Sequence, residues 1–194
     1  MKKNIIGVIT AVTALSVSLG GCSLSGEPTQ TEQPAAAPVM NVLGEYALLS
    51  GYTLYQSPDG GFSIQLPEGS TINDANLNDV TITVASAYAN ADMINITKAT
   101  GVQAVSTTDQ LYTMLKDDNT IDITGFFVLN MDGAYKGYKY THTAMDNAQL
   151  KGIVSTYFGA DGSAYIVKAV INNGGDEQNV EMINTVVDTF INYL

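Results

Sequence analysis

The chain has 194 residues, one cysteine and no tryptophan, and eight basic residues face nineteen carboxylates for a net charge of −11. Every basic residue is a lysine, and beyond the Lys2-Lys3 pair no basic patch is visible in this acidic chain, which argues against nucleic-acid binding and against a polybasic membrane patch. With Cys22 as the lone thiol, neither an internal disulfide nor a thiolate metal cluster can form.

Lys2 and Lys3 begin the chain as a short positive segment, and Ile5 to Leu19 then runs apolar or small without a charge. That stretch has the length of a signal peptide's hydrophobic region and falls short of the ~20 residues a spanning helix needs. Leu19-Gly20-Gly21-Cys22 follows and resembles the lipobox of bacterial lipoproteins. The resemblance implies residues 1–21 as a lipoprotein signal peptide, cleavage before Cys22 and a diacylglyceryl group on its thiol. The implied location is the cell membrane, lipid-anchored on the extracytoplasmic face. The mature chain would carry six lysines against nineteen carboxylates, a net charge of −13. Membrane contact is then expected through the lipid on Cys22.

Ser23 to Met40 is rich in Pro, Ser, Thr, Gln and Ala, too polar to bury surface that would offset the entropy of ordering. Residues 22–40 therefore read as a lipidated cysteine and flexible tether, with a root-mean-square span of about 23 Å and about 60 Å at full stretch. Residues 41–194 have the size of one domain with one core.

Within that domain, Tyr52 to Gln56 and Phe62 to Leu66 read as strands around the turn Ser57-Pro58-Asp59-Gly60-Gly61. Val80 to Ala87 and Met93 to Thr97 follow as β-branched strands. Thr107 to Lys116 reads as a helix opened by the capping pattern Thr107-x-x-Gln110, with Leu111, Met114 and Leu115 on one face. Ile123 to Met131 and Lys136 to Met145 flank one hairpin turn; Leu150 to Phe158 and Ser163 to Ile171 flank another. Asn172 to Gly175 reads as a turn before a helix from Asp176 to Asn192, whose Val180, Ile183, Val187 and Phe190 form a packing stripe. Apolar residues on both faces of Leu150 to Phe158 ask for cover on both sides. The expected fold is α+β, a central antiparallel sheet flanked by helices on both faces.

Tyr55-Gln56-Ser57-Pro58-Asp59-Gly60-Gly61-Phe62-Ser63-Ile64-Gln65-Leu66-Pro67 resembles the opening of PsbP-like domains, which share their fold with the Ran-binding Mog proteins. The resemblance implies an antiparallel sheet between helices and a long terminal helix. It offers no catalytic motif to transfer, the family being mostly non-enzymatic. A tryptophan frequent after the proline in that family is replaced here by Glu68-Gly69-Ser70.

Chemistry-bearing residues are sparse. His142, the only histidine, shares a strand face with Tyr138 and Tyr140. The three form either a stacking platform for a sugar or peptide or a tyrosine face packed under a helix. A Ser-His-Asp triad would have to use His142, and no G-x-S-x-G elbow is present. Asp117 to Asp122 groups oxygen ligands but lacks the glycine and distal glutamate of a calcium loop. No cofactor is expected, nor a metal. The expected role is a non-enzymatic, membrane-anchored module that binds or helps assemble a protein partner or envelope component. The competing expectation is a hydrolase of cell-wall or extracellular polymer using carboxylates that no motif reveals. Ligand capture for a transporter is disfavoured, since two lobes around a cleft need more chain.

Overall fold

A computed structural model describes residues 47–116, 118, 120–131 and 133–193. Its elements in chain order are β1 (Tyr52–Gln56), β2 (Phe62–Pro67), β3 (Thr71–Asn73), β4 (Asp79–Thr83), β5 (Met93–Thr100), α1 (Thr108–Met114), β6 (Ile121–Met131), β7 (Ala134–Ala144), β8 (Asn147–Phe158), β9 (Ser163–Ile171), α2 (Glu177–Asp188) and β10 (Ile191–Asn192). The segments expected to be a signal peptide, a lipobox with Cys22 and a tether lie outside the described residues, as do Asp117 and Asn119 of the acidic loop.

Seven strands form the main sheet in the order β3-β4-β5-β9-β8-β7-β6, with antiparallel neighbours throughout. A second, three-stranded sheet has the order β1-β2-β10. The turn between β1 and β2 is set locally. Ser57 Oγ accepts the Phe62 N–H, Asp59 Oδ1 accepts the Gly61 N–H, and Gly60 takes the positive φ of 70° that glycine permits.

Alternation along the strands sends two sets of side chains to opposite faces of the main sheet. On one face Val80, Ile82, Ile94, Ile96, Ile153, Tyr165, Val167, Ala169 and Ile171 meet Phe62, Ile64 and Leu66 of the small sheet and Ile183, Val186 and Val187 of α2. On the other, Tyr138, Tyr140 and Val154 are covered by Leu111 of α1 and by Val105 in the segment before it. Cover on that second face is limited. Met93 and Val170, cross-strand partners between β5 and β9, stay exposed there. The fold is thus dominated by its sheets, with one helix on the principal core and one short helix over part of the reverse face.

Local capping explains where the helices begin. Thr107 accepts the Gln110 N–H, while Gln110 Oε1 reaches past Thr107 to the Ser106 N–H. Asp176 caps α2 by accepting the N–H groups of Gln178 and Asn179. The far end of α2 corrects the expected span to Asn192. Thr189 Oγ1 donates to Val186 O at 2.7 Å and accepts the Gln65 N–H at 2.9 Å, which turns the chain toward β2. Phe190 then enters the core against Phe62 and Tyr157, with ring centroids at 5.3 and 4.8 Å, and Ile191-Asn192 pairs with β2 as a strand. The expected strand Val80 to Ala87 likewise stops at Thr83, because Val84 donates to Asp92 O and begins a loop. The short strand β3 carries too few apolar residues to signal itself.

Candidate functional site

Strands β6, β7 and β8 extend beyond the area that α2 covers closely, and the helix overhangs them to leave a cleft of about 490 Å³. Its floor is Thr124, Thr141, Thr143 and Ile153, with backbone of His142 and Gly152 between them. Strand parity puts the threonine side chains on the α2 face and the His142 ring on the reverse face. Glu177, Val180, Glu181 and Asn184 form the helix wall, and Lys151 stands on the sheet opposite. Glu177, Glu181, Asn184 and Asp188 recur at spacings of four, three and four, so one polar stripe of α2 runs above β7.

The polar contacts define the cleft's ends. Lys139 of β7 is buried and donates to Asp188 Oδ1 at 2.5 Å, and Asn184 Nδ2 donates to the other oxygen at 3.1 Å. This bridge ties the C-terminal half of α2 to the sheet. On the floor the Thr124 and Thr141 hydroxyls lie 2.9 Å apart, beside the bulge at Gly125. A Cβ on Gly125 would press to 2.8 Å from Thr141 Oγ1, so the bulge keeps that hydroxyl pair in place.

The N-terminal half of α2 is held by a buried carboxylate. Asp92, at the end of the β4–β5 loop, is 0% exposed. Its Oδ1 accepts the Asn172 N–H at 2.7 Å and its Oδ2 accepts Asn179 Nδ2 at 2.8 Å. Asn172 and Asn173 return donors to the carbonyls of Ala91 and Asn90, and Tyr88 donates to Asp176. The first two turns of α2, which carry Glu177 and Glu181 to the cleft, are therefore latched to a loop about eighty residues earlier. The Tyr88 bond and the backbone N–H groups of the cap hold the Asp176 carboxyl below the usual range.

Tyr138 and Tyr140, expected on one strand face with His142, are on that face but only 3% and 7% exposed beneath α1. The Tyr138 hydroxyl points at Met114 Sδ, and burial pushes Tyr140 up to about 12. His142 lies beside Tyr140, ring centroids 6.0 Å apart, with its ring laid across Gly152. Its Nδ1 is buried without a partner, and burial lowers its pKa while the Asp118 charge acts the other way. Both tyrosine rings are thus packed into a core, and His142 reaches the cleft only through its backbone. In the sequence Glu177 and Glu181 stand only as acids in the first turns of a helix, where its dipole favours anions, and Val180 belongs to the packing stripe. No spacing signal distinguishes an acid facing a cleft from one facing solvent.

Among the described residues, no group of three or more His, Cys, Asp or Glu side chains is placed to hold a metal ion. Asp118, from the acidic loop considered for calcium, spends its Oδ1 on the N–H and hydroxyl of Thr120.

No family model matches the sequence, and no curated protein sequence does either. Among solved structures, the solution structure of cyanobacterial PsbP (CyanoP) from Synechocystis is similar with a TM-score of 0.53 at 13% identity, covering 75% of this chain and 94% of that one. A crystal structure from Bacteroides thetaiotaomicron overlaps 74% of this chain and 49% of its own, at 14% identity and a TM-score of 0.39. At such low identity the likeness to CyanoP is one of fold: the domain has a PsbP-like fold.

Proposed function

We propose that this protein is a non-enzymatic, extracytoplasmic lipoprotein, anchored through Cys22, whose PsbP-like domain docks a protein partner or envelope component in the cleft between α2 and β6–β8. The observation that carries the reading is the make-up of the cleft. Its acceptors, two carboxylates, an asparagine amide and three hydroxyls, face one cation, Lys151, so a partner surface bearing basic side chains fits it best. Among the described residues, no Phe, Tyr or Trp ring lines the cleft to stack on a sugar. The two helices are read as the outer layers of an α/β/α sandwich in the manner of PsbP-like domains, a family the resemblance describes as mostly non-enzymatic.

The hydrolase alternative is weaker on geometry. A glycosidase needs two carboxyl groups flanking the scissile bond from opposite sides. Glu177 and Glu181 stand on one wall, one helical turn apart, and the only imidazole points away from them.

The test is cross-linking of the intact lipoprotein in cells, with Glu181→Lys as comparison. A defined partner recovered with the parent chain and lost with the variant is the expected result. Equal recovery from both would remove the cleft from the reading. Separately, Cys22→Ala should release the protein from membranes, and retention of the variant would overturn the anchor.

A further inference from the structure

The two ends of the seven-stranded sheet are built differently. β3 closes one end with three residues, too short a row to pair with much. β6 closes the other with eleven, none of them buried, and among the described residues no strand pairs with its outer side. Lysine and proline, which commonly blunt an exposed edge, are both absent from Ile121–Met131. Two register shifts interrupt the ladder, at Ile123/Gly125 and Leu129/Asn130. Between them Gly125-Phe126-Phe127-Val128-Leu129 runs uncharged and in regular register against β7. Alternate residues of that run turn their N–H and C=O groups away from β7.

This open run borders the cleft. Gly125 and Phe127 pair with Thr141 and Lys139, whose side chains lie on the α2 face, so both belong to that face. The Phe127 ring is 55% exposed and leans over Gly125: a Cβ on the glycine would stand 3.3 Å from Phe127 Cε2 and 2.8 Å from Thr141 Oγ1. One point on the edge thus touches an aromatic ring just outside the cleft and a hydroxyl of the cleft floor, with Glu177 and Glu181 on the wall beyond. A strand added outside β6 would lie about 4.8 Å from it and place every second side chain on this face. A long cationic side chain suits the passage, its stem on the Phe127 ring and its charge toward the carboxylates.

Charge decides between occupants. A second copy would bring the same β6, which carries Asp122 and no cation, on a chain of net charge −11. An extended basic segment supplies what both edge and cleft lack. Resting on the cleft as the docking site, we propose that the partner enters as an extended peptide segment. It pairs its main chain with β6 along Gly125–Leu129 and sends one lysine or arginine across Phe127 to Glu177 and Glu181. The carboxylates select the segment, and the edge holds it.

Amide NMR of the isotope-labelled lipoprotein in detergent micelles tests this. The probe is a peptide of about ten residues, alternating Thr and Gln around one central lysine. The Gly125–Leu129 amides should shift together with those of α2 and the threonine floor. Affinity should fall about tenfold when glutamate replaces the lysine, and binding should vanish when the peptide backbone is N-methylated. Phe127→Ala should weaken the lysine peptide severalfold with an unchanged circular dichroism spectrum. Equal binding of the lysine and glutamate peptides overturns the proposal, as does binding that survives N-methylation or a Phe127→Ala variant that binds as well as the parent. A response confined to α2 and the floor overturns it while leaving the cleft reading standing; silence in both regions counts against the two together. β6 shifts that grow with protein concentration in the absence of peptide would give the edge to a second copy instead.

Discussion

Asp92→Ala is the most informative single change, because it tests whether a loop far from the cleft sets the cleft's geometry. The substitution removes both acceptors that hold Asn172 N–H and Asn179 Nδ2, leaving two buried donors unpaired. Each orphaned donor costs ~1–3 kcal/mol, so the loss is about 4 kcal/mol. For a domain of this size that corresponds to a fall in Tm of roughly 12 °C. Asp92→Asn is a milder perturbation. It keeps one acceptor for the Asn172 N–H, and its new amide donor meets Asn179, whose Oδ1 is buried without a partner and can turn to accept it. That variant should lose only about 1–2 kcal/mol. Urea unfolding followed by circular dichroism measures both, and amide exchange in the first turn of α2 shows where the loss falls. An alanine variant within ~1 kcal/mol of the parent would refute the latch, as would an asparagine variant equally costly.

Gly152→Ala should destabilise by about 1–3 kcal/mol, since the added Cβ overlaps His142 Nε2 in a packed site. In urea unfolding the same substitution made on His142→Ala should cost clearly less; additive losses would contradict the contact. The His142 pair also sets a pH dependence. Burial lowers its folded pKa below the ordinary 6.5, so the unfolded chain binds the proton first and stability falls as pH drops from about 7 toward the folded value. The buried Nδ1 gains no partner on protonation, and only Asp118 opposes the effect. Tm compared at pH 7.5 and 5.5 should fall less in His142→Gln than in the parent; parallel falls would place the dependence elsewhere. The carboxylates with lowered pKa, Asp59, Asp118, Asp161 and Asp176, contribute stability that is lost only at more acidic pH, as each is protonated.

Features written in a few consecutive residues were legible in advance. Ser57 to Gly61 specifies its own turn through one hydroxyl, one carboxylate and one glycine, and Thr107 and Asp176 announce helix starts that backbone N–H groups require. The period of two in β7 put Tyr138, Tyr140 and His142 on one face without saying what would cover it. The stripe on α2 included Phe190, which does enter the core, but from beyond the helix. Its helical spacing could not reveal that Thr189 would be captured by the main chain of Gln65, 124 residues away in sequence.

What the sequence determined by itself is the eight longer strands, the two helix starts, the acidity, and the lone cysteine behind a lipobox-like run. These rest on dihedral preference, capping and charge, which act over a few bonds or over the whole chain at once. Tertiary structure alone decided that β5 pairs with β9, that Asp92 reaches α2, that the tyrosine face lies under α1, and that Glu177 and Glu181 overhang three threonines. Those outcomes depend on which distant surfaces exclude water from each other. Burial of that kind is non-directional, and a linear pattern can mark a face as apolar without naming the face it will meet.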